Sequence, residues 1–272
     1  MAYAYEVGFI GAGNMAEAIA AAVVRNNLYA PSQVILADPV PERLTLLADR
    51  FQFATTDDNK HLLSSARRIV WSVKPQVFEQ VAAPLADLLR DDQPLVSIMA
   101  GVGTKRIEAA FPAIRARVVR VMPNLPIQVG QGMAGLCAGR HATEQDVADA
   151  RAIFNAGGAT VVVDDESLMD AVTAVSGSGP AYFYYFVEAM VQGGIACGLN
   201  EADALTLAKQ TCLGAAKMML ATDEPPADLR RKVTSKGGTT QAALEHLADT
   251  QVDQAIRDAV RAAYERGREL GS

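Results

Sequence analysis

Short β-rich runs and helix-period segments alternate through the first part of this chain, and that alternation limits the fold more than any other feature. The β-type runs cover residues 7–10, 34–37, 68–73, 95–99 and 118–121, with a further one at 160–163. Between them, residues 16–26, 42–50, 78–89 and 104–111 repeat apolar side chains at helical spacing. Strands that return parallel need helical crossovers, so the pattern predicts a parallel sheet covered by helices on both faces. After Asp164-Asp165 the strand signals stop, and residues 181–197, 201–221, 226–233, 239–247 and 252–266 all read as helices. The expected class is α/β. A doubly wound parallel sheet takes residues 1–164, and an all-helical segment takes 165–272.

Composition narrows the function classes. Half of the 272 residues are apolar and 21% are charged, enough to bury a core and too apolar for a disordered chain. The net charge of −6 lacks the footprint of a general nucleic-acid binder. Arg67-Arg68 and Arg230-Arg231-Lys232 read as solvated helix ends. Cys137, Cys197 and Cys212 lie far apart in apolar runs without a CxxC, as expected of buried reduced thiols in a cytosolic protein. His61, His141 and His246 are isolated, so no metal is expected. The N-terminus shows no basic region and no small-residue cleavage site. The uncharged stretches 122–139 and 171–187 are interrupted by Pro, Gly and polar residues. A cytoplasmic protein without nucleic-acid or membrane partners is the expectation. Small side chains from Ala189 to Gly198 permit close helix approach, which suits either an oligomer interface or packing within one subunit.

The chemistry starts at the first strand. Val7-Gly8-Phe9-Ile10 runs into Gly11-Ala12-Gly13-Asn14-Met15-Ala16 and then a helix, a G-x-G-x-x-A pattern in its required strand–turn–helix setting. Gly11 permits the tight turn, Gly13 lets backbone approach a pyrophosphate, and Ala16 keeps helix and sheet close. The phosphates would meet the unpaired N–H groups of the helix N-terminus. Asp38 ends the second strand, where an acidic side chain commonly binds the adenosine ribose. Its charge favours NADH over NADPH, and Arg43 could reverse that, so the two cofactors stay open. Ser72-Val73-Lys74-Pro75, Met99-Ala100-Gly101 and Met122-Pro123-Asn124 close later strands on the same edge of the sheet.

Two Gly-rich loops precede helices in the second half: Ser176-Gly177-Ser178-Gly179-Pro180, and Lys232-Val233-Thr234-Ser235-Lys236-Gly237-Gly238-Thr239-Thr240. Backbone N–H groups at such helix starts can hold a carboxylate, and equally these are ordinary capped helix starts.

Taken in order, GFIGAGNMAEAI, SVKP, AGV, MPN-x-P, DAVTAVSGSGPAYF and VTSKGGTT resemble pyrroline-5-carboxylate reductase from Val7 to Leu270. The resemblance implies reduction of a cyclic imine, L-1-pyrroline-5-carboxylate, to L-proline by NADPH or NADH. It also implies an N-terminal Rossmann-type doubly wound parallel sheet with a C-terminal all-helical dimerisation domain, in a homodimer or a dimer-based ring such as a decamer. Cofactor contacts would then fall on Ile10, Gly11, Ala12, Gly13, Asn14, Met15, Ala37, Asp38, Pro39, Asn59, Ser72, Val73, Lys74, Pro75, Ala100 and Gly101. The substrate would meet Glu166, Ser176, Gly177, Ser178, Gly179, Gly237, Gly238, Thr239 and Thr240, with the Thr240 hydroxyl at the ring nitrogen as the catalytic group. Lys236 and Leu125 depart from the family pattern, where Pro and Thr are common.

An imine substrate agrees with the residues. Reduction of a carbonyl creates an alkoxide and calls for a positioned His or Lys acid. Neither residue occurs from Val172 to Leu199. An imine can take its proton first, and it then needs alignment more than an acid. An imine of another ring size, and a dinucleotide-sensing scaffold on the same fold, stay open as readings of the sequence.

Overall fold

The structure is a computed structural model that describes residues 3–271. Eight strands form its sheet: β1 Tyr5–Ile10, β2 Val34–Ala37, β3 Ala54–Thr56, β4 Ala66–Trp71, β5 Leu95–Ser97, β6 Val118–Pro123, β7 Gly132–Ala138 and β8 Gly158–Val162. Six helices cover it: α1 Asn14–Arg25, α2 Pro41–Phe51, α3 Asn59–Ser65, α4 Phe78–Ala82, α5 Thr104–Ala109 and α6 Glu144–Asn155. A short α7 (Met169–Val172) follows, then α8 Gly179–Ala196, α9 Glu201–Ala221, α10 Pro226–Lys232, α11 Thr239–Asp249 and α12 Val252–Gly271.

The strand order is β3-β2-β1-β4-β5-β6-β7-β8. The first six are mutually parallel, β7 runs antiparallel to β6, and β8 is parallel to β7. Alternation along β1 divides the interior in two. Val7 and Phe9 face the core shared with α1 and α6, while Ile10 faces the core holding Leu62, Trp71, Phe78 and Phe111. Trp71, fully buried, packs edge-on against Phe78 with 5.5 Å between ring centroids.

Some elements carry little local signal. β7 shows neither strand nor helix patterning, because GMAGLCA is poor in β-branched and aromatic residues. Packing requires the small residues: a Cβ on Gly135 would lie 2.4 Å from Val172, and one on Gly132 2.8 Å from Ile127. The single helix expected over 78–89 ends at Ala82, and a 3-10 turn containing Pro84 follows. β3, α3 and α6 are additional elements. The segment expected as a Gly-rich loop at 176–180 is helical instead. Thr173–Gly177 forms a π-helical turn, closed by Ser178 N–H to Thr173 O at 2.8 Å, and α8 follows directly.

The chain divides into two compact units, one ending at Ser178 and rejoined by the end of α12 from Ala263, the other spanning Gly179–Ala262. The second unit has a small core of its own, Val191, Ala204 and Ala208 with Val187 against them. This explains a departure in the cysteines. Cys137 is buried in β7, but Cys197 is exposed and Cys212 half-buried, since single-chain α8 and α9 cover little besides each other.

Candidate active site

The turn after β1 is held from both sides. Gly11 N–H donates to Ala37 O at 2.9 Å, Ser72 N–H donates to Ile10 O at 2.9 Å, and the Ser72 hydroxyl lies 2.7 Å from Gly11 O. Gly11 has φ of +93°, and a Cβ there would lie 2.9 Å from the Ser72 carbonyl carbon. The protein's own packing therefore demands this glycine.

Gly13 is different. Its φ of −66° suits any residue, and an added Cβ would meet nothing within 4 Å. It precedes α1 without a side-chain cap, and the first bond back into the helix runs from Glu17 N–H to Gly13 O. The amides of Asn14, Met15 and Ala16 thus have no intrahelical acceptor. An open helix N-terminus above a glycine that the fold does not require is a cradle for an anion, and a dinucleotide pyrophosphate fits it.

This cradle opens into a cleft of about 630 Å³ at the carboxyl edge of the sheet. Ile10, Gly11, Gly13, Asp38, Pro39, Asn59, Ser72, Val73 and Lys74 line it, all expected from the sequence. The other expected cofactor residues lie around it. Ala12 is buried under the turn, Asn14 is exposed at the start of α1, and Met15 packs on the first core. Ala37 ends β2 and Pro75 opens a 3-10 turn. Ala100 is exposed after β5, and a Cβ on Gly101 would lie 2.9 Å from Leu270 O, because the end of α12 rests there. Val40, Asp57, Val77, Gln80, Val81 and Pro84 also line the cleft and were missed. The last four recur at i, i+3, i+4 and i+7, a one-face helical spacing that was legible after Lys74.

Asp38 and Arg43 both turn toward Ala12. Asp38 Oδ2 accepts Ala12 N–H at 2.9 Å, while Oδ1 accepts Val40 N–H at 3.0 Å. Arg43 Nε donates to Ala12 O at 2.5 Å, and its Nη2 lies 2.5 Å from Glu17 Oε2. Both backbone groups of one turn residue are thereby fixed by side chains.

The expected substrate residues fall on both units. In the first, Glu166 accepts Thr104 N–H at 2.8 Å and the Thr104 hydroxyl at 2.6 Å, and meets Arg120 Nη1 at 3.1 Å. Its carboxylate stands at the N-terminus of α5, where a negative charge is stabilised. Ser176, Gly177 and Ser178 belong to the π-helical turn and its exit, and Met122 backs Gly177. Asn124, whose role the sequence left undefined, donates to Ser176 O at 2.9 Å. A MPN motif closing a strand was the available signal.

In the second unit Gly179 opens α8, buried, and Gly237 turns the chain at φ +71° before α11. Gly237 N–H donates to Gln241 Oε1 at 2.7 Å and Gly238 N–H to Ser235 O at 3.1 Å. The first bond back into α11 runs from Ala242 N–H to Gly238 O, so the amides of Thr239 and Thr240 have no intrahelical acceptor. Thr240 is half-buried in that first turn.

Strand order, glycine cradle and open α1 N-terminus together define a dinucleotide-binding protein of the Rossmann type. Comparison with known proteins agrees: residues 6–101 match the family model for NADP oxidoreductase, coenzyme F420-dependent, and 166–270 match that for pyrroline-5-carboxylate reductase dimerisation. The chain is 43% identical over 267 residues to the pyrroline-5-carboxylate reductase of Synechocystis, covering 98% of each, and 40% identical to that of Haemophilus influenzae, covering 97% of each. A solved pyrroline-5-carboxylate reductase from Coxiella burnetii superposes with a TM-score of 0.93 at 33% identity over 99% of both chains. That of Plasmodium falciparum, solved with NADP bound, gives 0.86 at 28% identity over the whole of both. The chain belongs to the pyrroline-5-carboxylate reductase family.

Proposed function

We propose that this chain reduces L-1-pyrroline-5-carboxylate to L-proline with NADH or NADPH, the last step of proline biosynthesis. The observation that carries the reading is Gly13, a glycine facing open space at a helix N-terminus, in a chain that matches its family from end to end. Residues 1–164 serve the dinucleotide, and residues 165–272 serve the substrate and the dimer.

When bound, the reduced nicotinamide supplies the hydride that adds to the imine carbon. The rest falls to the chain. The amides of Asn14, Met15 and Ala16 face the pyrophosphate, with Asp38 and Pro39 at the ribose end of the cleft and Ser72 to Pro75 along its wall. The carboxylate of the substrate takes the amides of Thr239 and Thr240, while Gly237 and Gly238 shape the turn that presents them. The imine nitrogen first takes a proton from water, relayed by the Thr240 hydroxyl that hydrogen-bonds it, and the C=N electron pair then settles on nitrogen as a lone pair when the carbon is reduced. Ser176, Gly177, Ser178 and Gly179 supply further substrate contacts. Glu166 acts through Thr104 and Arg120, which already hold its oxygens.

The working form is a homodimer or a dimer-based ring such as a decamer. The match to a dimerisation domain supports this, as do Phe183, Tyr184, Tyr185 and Phe186, consecutive aromatics that are 49–76% exposed in the single chain. Among the described residues no helix is long and apolar enough to cross a membrane, and we place the enzyme in the cytoplasm.

The test is the initial rate of dinucleotide oxidation with the five-membered imine, run beside its six-membered analogue. Faster turnover of the five-membered ring is expected. Dinucleotide binding with no turnover of either ring would overturn the proposal.

A further inference from the structure

The cleft that the proposed function assigns to a reduced nicotinamide dinucleotide also carries information about which dinucleotide it takes. At the end of β2 the sequence offers two opposed readers, Asp38 against a 2′-phosphate and Arg43 for one. The structure separates their roles. Asp38 lines the cleft, as does Asp57 beyond β3, whereas Arg43 is not among the lining residues. Arg43 is spent on the glycine-rich turn, with Nε on Ala12 O and Nη2 on Glu17. The Ala12 carbonyl and the Glu17 carboxylate fix the direction of this guanidinium, and its charge is partly matched by Glu17, which also pairs with Arg50 at 2.9 Å.

The one cation lining the cleft among the described residues is Lys74. It follows β4, and β1 lies between β4 and β2 in the sheet. Two strand spacings separate those strand ends by roughly 10 Å. The charge that meets an adenosine ribose at the β2 end is therefore that of Asp38, with Asp57 nearby. A carboxylate there accepts from a 2′-hydroxyl using lone pairs that Ala12 and Val40 leave open. A 2′-phosphate would bring about −1.5 to −2 charge against the same group.

We infer that this chain selects the dinucleotide lacking a 2′-phosphate: Asp38 is the specificity-determining residue, and Arg43 is a positioning residue that straps the glycine-rich turn through Ala12. The preference is set by these side chains of this chain, and a relative that carries NADP need not share it.

Equilibrium titration of the full-length enzyme with NADH and with NADPH, followed by nicotinamide fluorescence in the absence of imine, tests this. The wild type binds NADH about tenfold more tightly or better. Asp38→Asn narrows that ratio at least about fivefold, with NADPH gaining affinity. Arg43→Ala weakens both dinucleotides alike, leaving their ratio within about twofold, because a strap on the turn serves either one. Equal or tighter binding of NADPH by the wild type overturns the inference, as does an Arg43→Ala loss confined to NADPH. Should Arg43→Ala fail to fold, the wild-type ratio and Asp38→Asn still decide. Since no imine is present, a chain that showed this preference yet left pyrroline-5-carboxylate unreduced would defeat the proposed function and leave the selectivity standing.

Discussion

The Asn124 side chain joins Ser176 to the sheet: its Nδ2 donates to Ser176 O at 2.9 Å while its Oδ1 accepts Met133 N–H at 2.8 Å. Asn124 stands just past β6 and is buried, Met133 belongs to β7, and Ser176 lies in the π-helical turn. One amide thus fixes a wide turn whose geometry no regular helix supplies. Such turns recur at functional sites.

Replacing Asn124 by Ala removes both bonds and leaves two backbone groups without partners. The expected cost is about 2 kcal/mol of stability, measured by urea unfolding. Because the turn belongs to the proposed substrate side, kcat/KM for the imine should fall while dinucleotide affinity holds. A variant that lost dinucleotide binding instead would contradict the positioning role.

Gly11 and Gly13 should separate under mutation. Gly11→Ala forces a side chain into φ +93° and against the Ser72 backbone, so about 1–3 kcal/mol of stability should be lost. Gly13→Val places its side chain in open space, so its stability should fall only by the cost of a poorer N-cap, about 1 kcal/mol or less. Dinucleotide affinity should fall by more than about tenfold, since the side chain takes the space a pyrophosphate needs. Retained affinity in Gly13→Val would remove the cradle from the account.

Glu166→Gln discriminates between a substrate contact and a structural anchor. Arg120 is 11% exposed and depends on Glu166, with Asp170 farther off at 3.9 Å. Neutralising Glu166 should cost about 2 kcal/mol even without substrate, less than a fully buried pair because Glu166 is partly wet. A change confined to KM, with unaltered unfolding, would give Glu166 to the substrate.

Thr240→Ala should lower kcat at least tenfold, about 1.4 kcal/mol in the barrier. Thr240→Ser, keeping the hydroxyl, should recover most of it, and dinucleotide affinity should be unchanged in both. Wild-type turnover in Thr240→Ala would remove this group from the mechanism.

The strand–turn–helix at Val7 to Arg25 was legible because its signals are local: an apolar run, two glycines, then helical spacing. Thr240 and the Gly237-Gly238 turn were legible only through family resemblance, since a capped helix start reads the same way. β7 escaped because its glycines answer to Val172 and Ile127, partners distant in sequence. α6 was missed although Thr143 and Asp146 form a capping box before it, a signal present and unused. Arg43 illustrates a further limit. Its position beside Asp38 suggests a phosphate reader, and only its tertiary partners Ala12 and Glu17 turn it into a strap.

Hydride transfer to an imine carbon with L-proline as product is tested by supplying reduced dinucleotide that carries deuterium at the transferable C4 position and following the product by mass spectrometry and NMR. L-Proline with one deuterium at C5, formed one-for-one with oxidised dinucleotide, is expected. Dinucleotide oxidation without labelled proline, or no oxidation at saturating imine, would contradict it.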